Sequence, residues 1–292
     1  MSREPELELV EGGVLGGRDG AFARVVEGGP RYSVSLAVGF GILLCFSRER
    51  PVLGIAEMSD LMGLRGRSTT HRYASTLLAL GYLEQDHARR YRLAARAADL
   101  ALALLESMPL RAVAREPVRE LRDAVGYTVG LAIRDGSQML YTERFHGRRR
   151  GQWAVDEGLG VGTRQPLSCT AAGKALLAHL PEEEGESLLK QLPLPRRGPG
   201  SITSKKALRE QLQRVREEGL ALADEELAAG LRAIAAPVRD EEGVVLAAVE
   251  IAVPGATFST ARMVDELGPP LREFAQGLVL PCGALVPKPA RR

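Results

Sequence analysis

The 292-residue sequence contains little cysteine, and its cysteines are poorly placed for cross-linking. Cys45, Cys169 and Cys282 are odd in number and far apart, which excludes a disulfide framework and a zinc knuckle and indicates a reducing compartment. The longest apolar stretch, residues 36–46, is interrupted by glycine and is too short to span a bilayer. The first residues lack a basic start followed by an apolar run, so we expect no signal peptide. These absences predict a cytoplasmic protein with no membrane partner.

A strong net charge is also missing. The 39 Lys and Arg residues nearly balance the 37 Asp and Glu, and the formal charge of +2 gives no global field to attract nucleic acid. Any DNA contact must therefore rest on a local patch. Only four histidines occur, without the spacing of a metal site or a catalytic triad, so we expect no metal and no cofactor. The length and an apolar content of 45% are typical of a globular protein with two domains.

Residues 67–83 predict a helix with two different faces. One face is apolar at helical spacing, and the other carries short hydroxyls and a long cation but no carboxylate. The polar face suits the phosphates and base edges of a DNA major groove, although a solvated face is the better interpretation of this stretch taken alone. Ser68 or Thr69 is the expected N-cap, and Gly81 is the expected stop. The candidate DNA-binding residues in this helix are Arg67, Ser68, Thr69, His71, Arg72 and Ser75.

The segments before this helix complete a helix-turn-helix order. A helical pattern begins at Ser33, a short helix is predicted over residues 55–62, and a turn with two glycines covers residues 63–66. Helix, short helix, glycine-containing turn and helix is the order of that DNA-binding motif. The apolar residues that define the first helix are Leu36, Phe40, Leu43 and Leu44.

An extended hairpin after the helix predicts a wing. Residues 83–86 and 90–93 are the expected strands, around a tip that holds Arg89 and Arg90. Residues 35–105 contain nine Arg and six acidic residues, and six of the nine Arg lie in the turn, the helix and the wing. Because phosphate binding needs clustered rather than total charge, Arg67, Arg89 and Arg90 are predicted phosphate contacts.

Composition divides the chain into five segments. A glycine- and charge-rich arm over residues 1–31 is expected to be disordered, and a tail over residues 281–292 is expected to be flexible. The winged helix-turn-helix occupies residues 32–93. An Ala- and Leu-rich helix at residues 94–108 suits a linker that pairs in a dimer, although a plain packed helix fits equally well. Residues 109–280 form a second domain.

The second domain combines hairpins with helices, which predicts an α+β fold. An Asp-Gly turn at residues 135–136 joins two of its strands. A helix begins at Thr170, where free backbone N–H groups and the helix dipole favour an anion or a carbonyl. The small side chains of Ala171 and Ala172 let a ligand approach those amides. The expected strands cover residues 127–133, 138–143, 152–155, 220–223, 233–238 and 244–253.

Taken together, these motifs resemble the IclR family of bacterial transcriptional regulators. The resemblance rests on residues 67–72 in the helix-turn-helix and, in the second domain, on residues 166–175, 224–226, 230–238 and the strand ending at Pro254. It implies a winged helix-turn-helix joined by a linker helix to a GAF/profilin-like effector-binding domain with a mainly antiparallel sheet. It also implies a homodimer, or a dimer of dimers, on double-stranded operator DNA.

The same resemblance implies that a small-molecule effector, a metabolite, changes promoter occupancy or transcriptional output. Repressors and activators both occur in the family, so the sign of regulation stays open. Family pocket positions carry over to this chain, with Asp224 lying beside one of them. The candidate effector-binding residues are Thr170, Ala171, Ala172, Asp224, Ala233, Glu250 and Ala252.

Glu250 departs from the pattern of family members that bind organic acids, which tend to carry small polar groups at the positions of Ala233, Glu250 and Ala252. An ionised carboxylate in a closed pocket repels a carboxylate ligand unless it is protonated or paired. We therefore expect a neutral, hydroxylated or cationic effector rather than a small dicarboxylate. In the alternative interpretation, Glu250 points to the outer face of its strand or pairs with an arginine.

Two other functions fit parts of the sequence. Cys169 precedes a helix start, where a thiolate is stabilised, and this favours a thiol-dependent enzyme. His179 is too far along the same helix to act as its base, at ~15 Å, and a small buried cysteine is the better interpretation. A ligand-independent DNA-binding protein is the second alternative, but the second domain takes up more than half of the chain. The sequence thus favours a regulator that is not an enzyme.

Overall fold

A computed structural model describes Val25 and residues 31–64, 66–148 and 158–280. Contacts divide the chain into two compact units, one ending at Ala103 and the other beginning at Leu104. Three predicted segments lie outside the described residues: the strand at 152–155, the tail at 281–292, and the arm at 1–31 except for Val25 and Arg31.

In the described part of the first unit, buried apolar side chains from three helices and a two-stranded hairpin form one core. A further helix begins at Ala97, before the unit ends. Gly66, with φ of 128°, precedes the third helix, so the helix begins one residue earlier than the predicted hydroxyl cap. Ser68 and Thr69 therefore lie inside its first turn, and their prediction as caps was wrong. The elements are α1 (Val34–Leu44), α2 (Ile55–Met62), α3 (Arg67–Ala79), β1 (Leu83–Gln85) and β2 (Tyr91–Leu93), followed by α4 (Ala97–Glu106).

The end of α3 matches the sequence prediction. Gly81 takes a φ of 76°, and its N–H donates to the Leu78 carbonyl. The Tyr82 N–H donates to the Leu77 carbonyl, so two otherwise orphaned helix carbonyls are satisfied. The chain then turns directly into β1, which places the hairpin immediately after α3.

The buried face of α1 is not the face that its predicted apolar spacing marked. Val38 and Ile42 are buried, whereas Leu36 and Phe40 are 62% and 49% exposed. Almost every residue of α1 is apolar, so spacing alone did not identify the side that packs. A row of apolar side chains is left uncovered on this helix.

Among its described residues, the second unit forms a six-stranded sheet between two layers of helices. Its strand order is β5-β4-β3-β8-β7-β6, and every neighbouring pair is antiparallel. This confirms the predicted α+β class with a mainly antiparallel sheet. The strands are β3 (Thr128–Asp135), β4 (Gln138–Phe145), β5 (Arg164–Pro166), β6 (Ala221–Asp224), β7 (Leu231–Arg239) and β8 (Val245–Pro254). The helices are α5 (Pro109–Val125), α6 (Ala171–Ala178), α7 (Glu182–Gln191), α8 (Lys205–Glu218) and α9 (Thr260–Gly277).

The two faces of this sheet bury different side chains. The face toward α5 and α9 carries large residues such as Val249 and Ile251, whereas the face toward α6 and α8 carries mainly alanine. Small side chains on that second face let α6 pack closely on β7 and β8. The start of α6 is thereby brought against the sheet. No helix among the described residues is both long and apolar enough to cross a membrane.

Candidate DNA-binding surface and effector pocket

The outer face of α3 carries polar side chains that are exposed or half-buried. Arg67, Ser68, His71 and Arg72 are exposed, whereas Thr69 and Ser75 are half-buried. The Arg72 guanidinium lies 5.5 Å from the centroid of the neighbouring Tyr73 ring. On the opposite side, Ala74 and Leu77 are buried in the core. The helix therefore offers its cationic, hydroxyl-bearing face to a partner.

The wing follows α3, and its two arginines have different surroundings. Arg89 lies at the tip with a φ of 59°, and its side chain forms no hydrogen bond or ion pair with any described residue. Arg90 is engaged, because its Nη2 donates to the Val52 carbonyl at 3.0 Å and lies 3.0 Å from Glu57 Oε2. Arg89 is thus the better placed of the two for a phosphate.

Thr170, Ala171 and Ala172 form the start of α6, and all three are buried. The Thr170 hydroxyl accepts a hydrogen bond from the Gly173 N–H at 3.1 Å, as an N-cap does. The same hydroxyl donates to the Pro166 carbonyl at 3.0 Å. The Ala172 N–H is left pointing at the sheet, where it donates to Glu250 Oε2 at 3.0 Å.

Glu250 reaches the start of α6 from β8 and is buried there. Its Oε1 accepts a hydrogen bond from the Tyr141 hydroxyl at 2.6 Å. The Arg144 guanidinium lies 3.6 Å from the same oxygen, and both side chains are almost fully buried, at 1% and 4% exposed. Glu250 therefore does not point to the outer face of its strand. It faces the pocket and is paired with an arginine, as one of the sequence-based alternatives held.

Sequence reasoning missed Tyr141 and Arg144. Strict alternation along β4 places these two residues, three apart, on opposite faces of the sheet. In the structure Leu131 pairs with Glu143 and Ala132 pairs with Tyr141, so Thr142 is an extra residue and the strand bulges. The bulge turns Tyr141 and Arg144 to the same side, and a bulge of this kind leaves no signal in the composition.

The remaining predicted pocket residues divide into two groups. Ala233 and Ala252 are buried cross-strand neighbours on β7 and β8, on the same face as Glu250. Asp224 is exposed, and its Oδ1 accepts from Arg232 Nε at 2.5 Å. The structure thus brings Ala233 and Ala252 toward the start of α6 but holds the Asp224 side chain elsewhere.

A small cavity lies beside Thr170, Ala233 and Glu250, and three leucines form part of its wall. Its volume is about 10 Å³, which holds about one water molecule. Glu250 and Tyr141 supply polar atoms at its wall, and the Cys169 thiol lines it as well. Its full lining is Tyr141, Leu159, Cys169, Thr170, Ala223, Leu227, Leu231, Ala233 and Glu250.

Cys169 has the surroundings of a structural cysteine. Burial raises the pKa of its thiol to about 11, and the neighbouring Glu226 carboxylate acts in the same direction. A catalytic thiol needs the opposite shift, toward the thiolate at neutral pH. His179 is occupied at the far end of α6, where its Nδ1 lies 2.9 Å from the Ala175 carbonyl oxygen. This geometry does not support a thiol-dependent enzyme.

A helix-turn-helix with a wing, together with a separate sheet domain that encloses a cavity, defines a DNA-binding regulator with a ligand-binding domain. Residues 35–87 match the IclR helix-turn-helix domain, and residues 102–279 match the C-terminal domain of the bacterial transcriptional regulator IclR. The chain belongs to the IclR family of bacterial transcriptional regulators.

Similar proteins of known name are transcriptional regulators. The chain is 33% identical over 227 residues to the HTH-type transcriptional regulator KdgR of Escherichia coli K12, covering 77% of this chain and 84% of KdgR. It is 34% identical over 225 residues to XynR of the same strain, covering 77% of this chain and 87% of XynR. Among solved structures, an IclR homolog from Microbacterium hydrocarbonoxydans complexed with 4-hydroxybenzoate is 30% identical. Its TM-score is 0.70, over 83% of this chain and 96% of that one.

Proposed function

We propose that this regulator acts as a homodimer that binds operator DNA through α3 and the wing. We further propose that its effector carries a hydroxyl or ammonium donor and binds beside Glu250. The observation that carries the proposal is the buried Glu250 carboxylate at the start of α6. In this proposal, residues 32–93 bind DNA, residues 94–108 form the linker helix, and residues 109–280 bind the effector. Because its proposed partner is operator DNA, we place the protein in the cytoplasm.

The proposed DNA interface uses the free side chains of the first unit. Arg72 and Ser68 are exposed on α3 and are assigned to base edges or the phosphates beside them. Arg67 and Arg89 form no ion pair with any described residue, so their full charge is available to phosphate. Thr69, His71 and Ser75 complete the proposed contact set. Arg90 is assigned a smaller part, because Glu57 already neutralises it.

An uncovered apolar groove on the first unit supports a homodimer. The groove lies between α1, α3 and α4 and has a volume of about 470 Å³. Exposed apolar patches of this kind mark interfaces, and an isologous contact lets two identical patches cover each other. The α3 helices of the two subunits would then reach DNA half-sites ~34 Å apart. A dimer of dimers is the alternative assembly. The groove is lined by Ser35, Leu36, Gly39, Phe40, Leu43, Tyr73, Thr76, Leu77, Leu80, Tyr82 and Leu100.

The chemistry of the cavity supports the proposed effector class. Leu159, Leu227 and Leu231 give it an apolar wall that suits a carbon skeleton. Glu250 faces the same cavity and, as a carboxylate, accepts hydrogen bonds but does not donate them. A hydroxyl or ammonium group gains such a bond, whereas an ionised carboxylate has no proton to donate to it. Since the cavity holds about one water molecule, the effector must also displace its wall to enter.

The effector class is tested with three probes that share one ring. The probes are benzyl alcohol, benzylamine and benzoate, of which only the first two carry a donor, and binding is measured by calorimetry on the full chain. We expect the alcohol or the amine to bind wild-type protein more tightly than the acid, and Glu250→Gln to abolish this preference. Glu186→Gln is the matched control, because Glu186 is a partly exposed, arginine-paired glutamate on α7, away from the cavity lining. Tight binding of the acid that Glu250→Gln leaves unchanged would contradict the proposal.

A further inference from the structure

Two hydrogen-bond donors and one guanidinium, from β4 and from the start of α6, converge on the Glu250 carboxylate. They are the Tyr141 hydroxyl at 2.6 Å, the Ala172 N–H at 3.0 Å and the Arg144 guanidinium at 3.6 Å. The Arg144 guanidinium also lies 4.3 Å from the centroid of the Tyr141 ring, so the two donors on β4 support each other. A helix-start amide, a phenol and a guanidinium form a donor set that suits a carboxylate.

Gly130 makes this convergence geometrically possible. On β3 it pairs with Arg144 on one side and with Glu250 on the other. Arg144 and Glu250 therefore lie two strands apart and meet over a position that has no side chain. A Cβ on Gly130 would lie 3.0 Å from Tyr141 Cε1 and 3.2 Å from Arg144 Nη1. The glycine leaves the space through which the arginine reaches the carboxylate.

A buried carboxylate is costly unless it is paired and hydrogen-bonded. Both Glu250 oxygens have partners, and together these partners offset its removal from water. The donors thus form a preorganised anion site, and the anion is part of the chain itself.

We infer that the start of α6 is an anion-binding site that the chain fills with its own Glu250 carboxylate. Removing that carboxylate is expected to open the site to small free carboxylates. Free acids are accordingly excluded because the site is already occupied. The inference rests on the proposed function in placing the effector pocket at the start of α6.

Acetate tests this inference, because it has the carboxylate that Glu250→Ala removes. Full-length wild type, Glu250→Ala and Glu250→Gln are titrated with sodium acetate against sodium chloride at equal ionic strength, and the melting temperature is recorded. We expect acetate to raise the melting temperature of Glu250→Ala in a saturable way. Wild type and Glu250→Gln should not respond, because the site is still filled. An identical response of all three proteins would overturn the inference.

A second substitution checks that the acetate sits among the same donors. Tyr141→Phe keeps the ring and removes one hydroxyl. In the Glu250→Ala background it should weaken acetate binding about tenfold, the size of a hydrogen bond to a charged group. Unchanged acetate affinity would place the acetate elsewhere and overturn the assignment.

A spectroscopic measurement covers the case in which Glu250→Ala does not fold. In protein labelled with ¹⁵N-alanine, the Ala172 amide proton should move upfield in Glu250→Gln, because its carboxylate acceptor becomes a neutral amide. Glu186→Gln serves as the control and should not move it. An unmoved Ala172 resonance in Glu250→Gln would overturn the inference. None of these three measurements uses effector or operator, so failure here is distinct from failure of the proposed function.

Discussion

The Arg90 guanidinium of the wing lies 3.0 Å from the Glu57 carboxylate of α2. The same Glu57 accepts a hydrogen bond from the Gly54 N–H at 2.6 Å, so one carboxylate caps α2 and fastens the wing to it. Arg90 reinforces this contact by donating to the Val52 carbonyl. The wing is therefore held at a defined position beside the helix-turn-helix, and its neighbour Arg89 is left free.

The two wing arginines should have different effects on DNA binding. Arg89→Ala should reduce the slope of log affinity against log salt concentration by about 1, because one phosphate contact is lost. Arg90→Ala should change that slope less and should lower the melting temperature more, because it releases the wing. Fluorescence anisotropy with operator DNA at several salt concentrations measures both slopes. Equal slope changes for the two variants would contradict the different roles.

Arg72 should affect sequence preference as well as affinity. Arg72→Ala is expected to cost about 1–3 kcal/mol of operator binding and to relax discrimination at one base pair. Arg67→Ala should instead weaken binding evenly across sequences, as a phosphate contact does. Competition assays with operators mutated one base pair at a time distinguish the two results. Uniform weakening by Arg72→Ala would assign Arg72 to a phosphate.

Gly130 should not tolerate a methyl group. Gly130→Ala should lower the free energy of unfolding by about 1–3 kcal/mol, because Tyr141 and Arg144 must shift to make room. Gly185→Ala in α7 is the matched control, since its Cβ would meet Leu180 at an ordinary 3.7 Å. That control should be stabilising by about 0.5–1 kcal/mol, as alanine is in a helix. Chemical denaturation measures both values, and a neutral Gly130→Ala would refute the tight fit.

Phe40→Asp should disrupt self-association. Phe40 is 49% exposed and lies in the apolar groove of the first unit, so a carboxylate there opposes burial in an interface. Val244→Asp is the control, because Val244 is similarly exposed but lies outside the groove. Sedimentation velocity should show a lower association state for Phe40→Asp alone. If both variants keep the wild-type state, this groove is not the interface.

The Cys169 thiol should be unreactive at neutral pH. Its pKa of about 11 in the folded chain exceeds the ordinary 9.0, so thiolate is scarce below pH 9. The shift contributes stability that is complete below pH 9 and is lost as pH rises through 11. Mass spectrometry after iodoacetamide treatment at pH 8 should find Cys169 unmodified in folded protein and modified in denaturant. Rapid alkylation of folded protein would restore the thiol-enzyme alternative.

Local sequence signals predicted the DNA-binding unit well. Three of these signals each depend on only a few neighbouring residues, and the structure shows all three. They are the glycine-containing turn before α3, Gly81 at the end of α3, and the hairpin that follows. The buried side of α1 was not predictable in the same way. Its residues are apolar almost all round, so the choice between Leu36 and Val38 depends on partners distant in sequence.

The candidate effector pocket was predicted only in part, for a related reason. The start of α6 was recognised from its small residues and its cap, and Glu250 was recognised from its position in the resemblance. Arg144 was missed because a bulge at Thr142 reverses the face on which it lies. Asp224 was assigned to the pocket, but its carboxylate lies outside and pairs with Arg232. Contacts that cross several strands are set by register rather than by local composition.

The bulge at Thr142 gives strand register a chemical consequence. If all residues of β4 paired in strict alternation from Tyr141 onward, the Arg144 side chain would turn toward α5 and α9, where it would meet the aliphatic layer of the sheet. Loss of the bulge would therefore move a guanidinium away from Glu250 without changing a single amino acid. The charge beside the cavity thus depends on strand pairing, and an inventory of amino acids alone would overlook it.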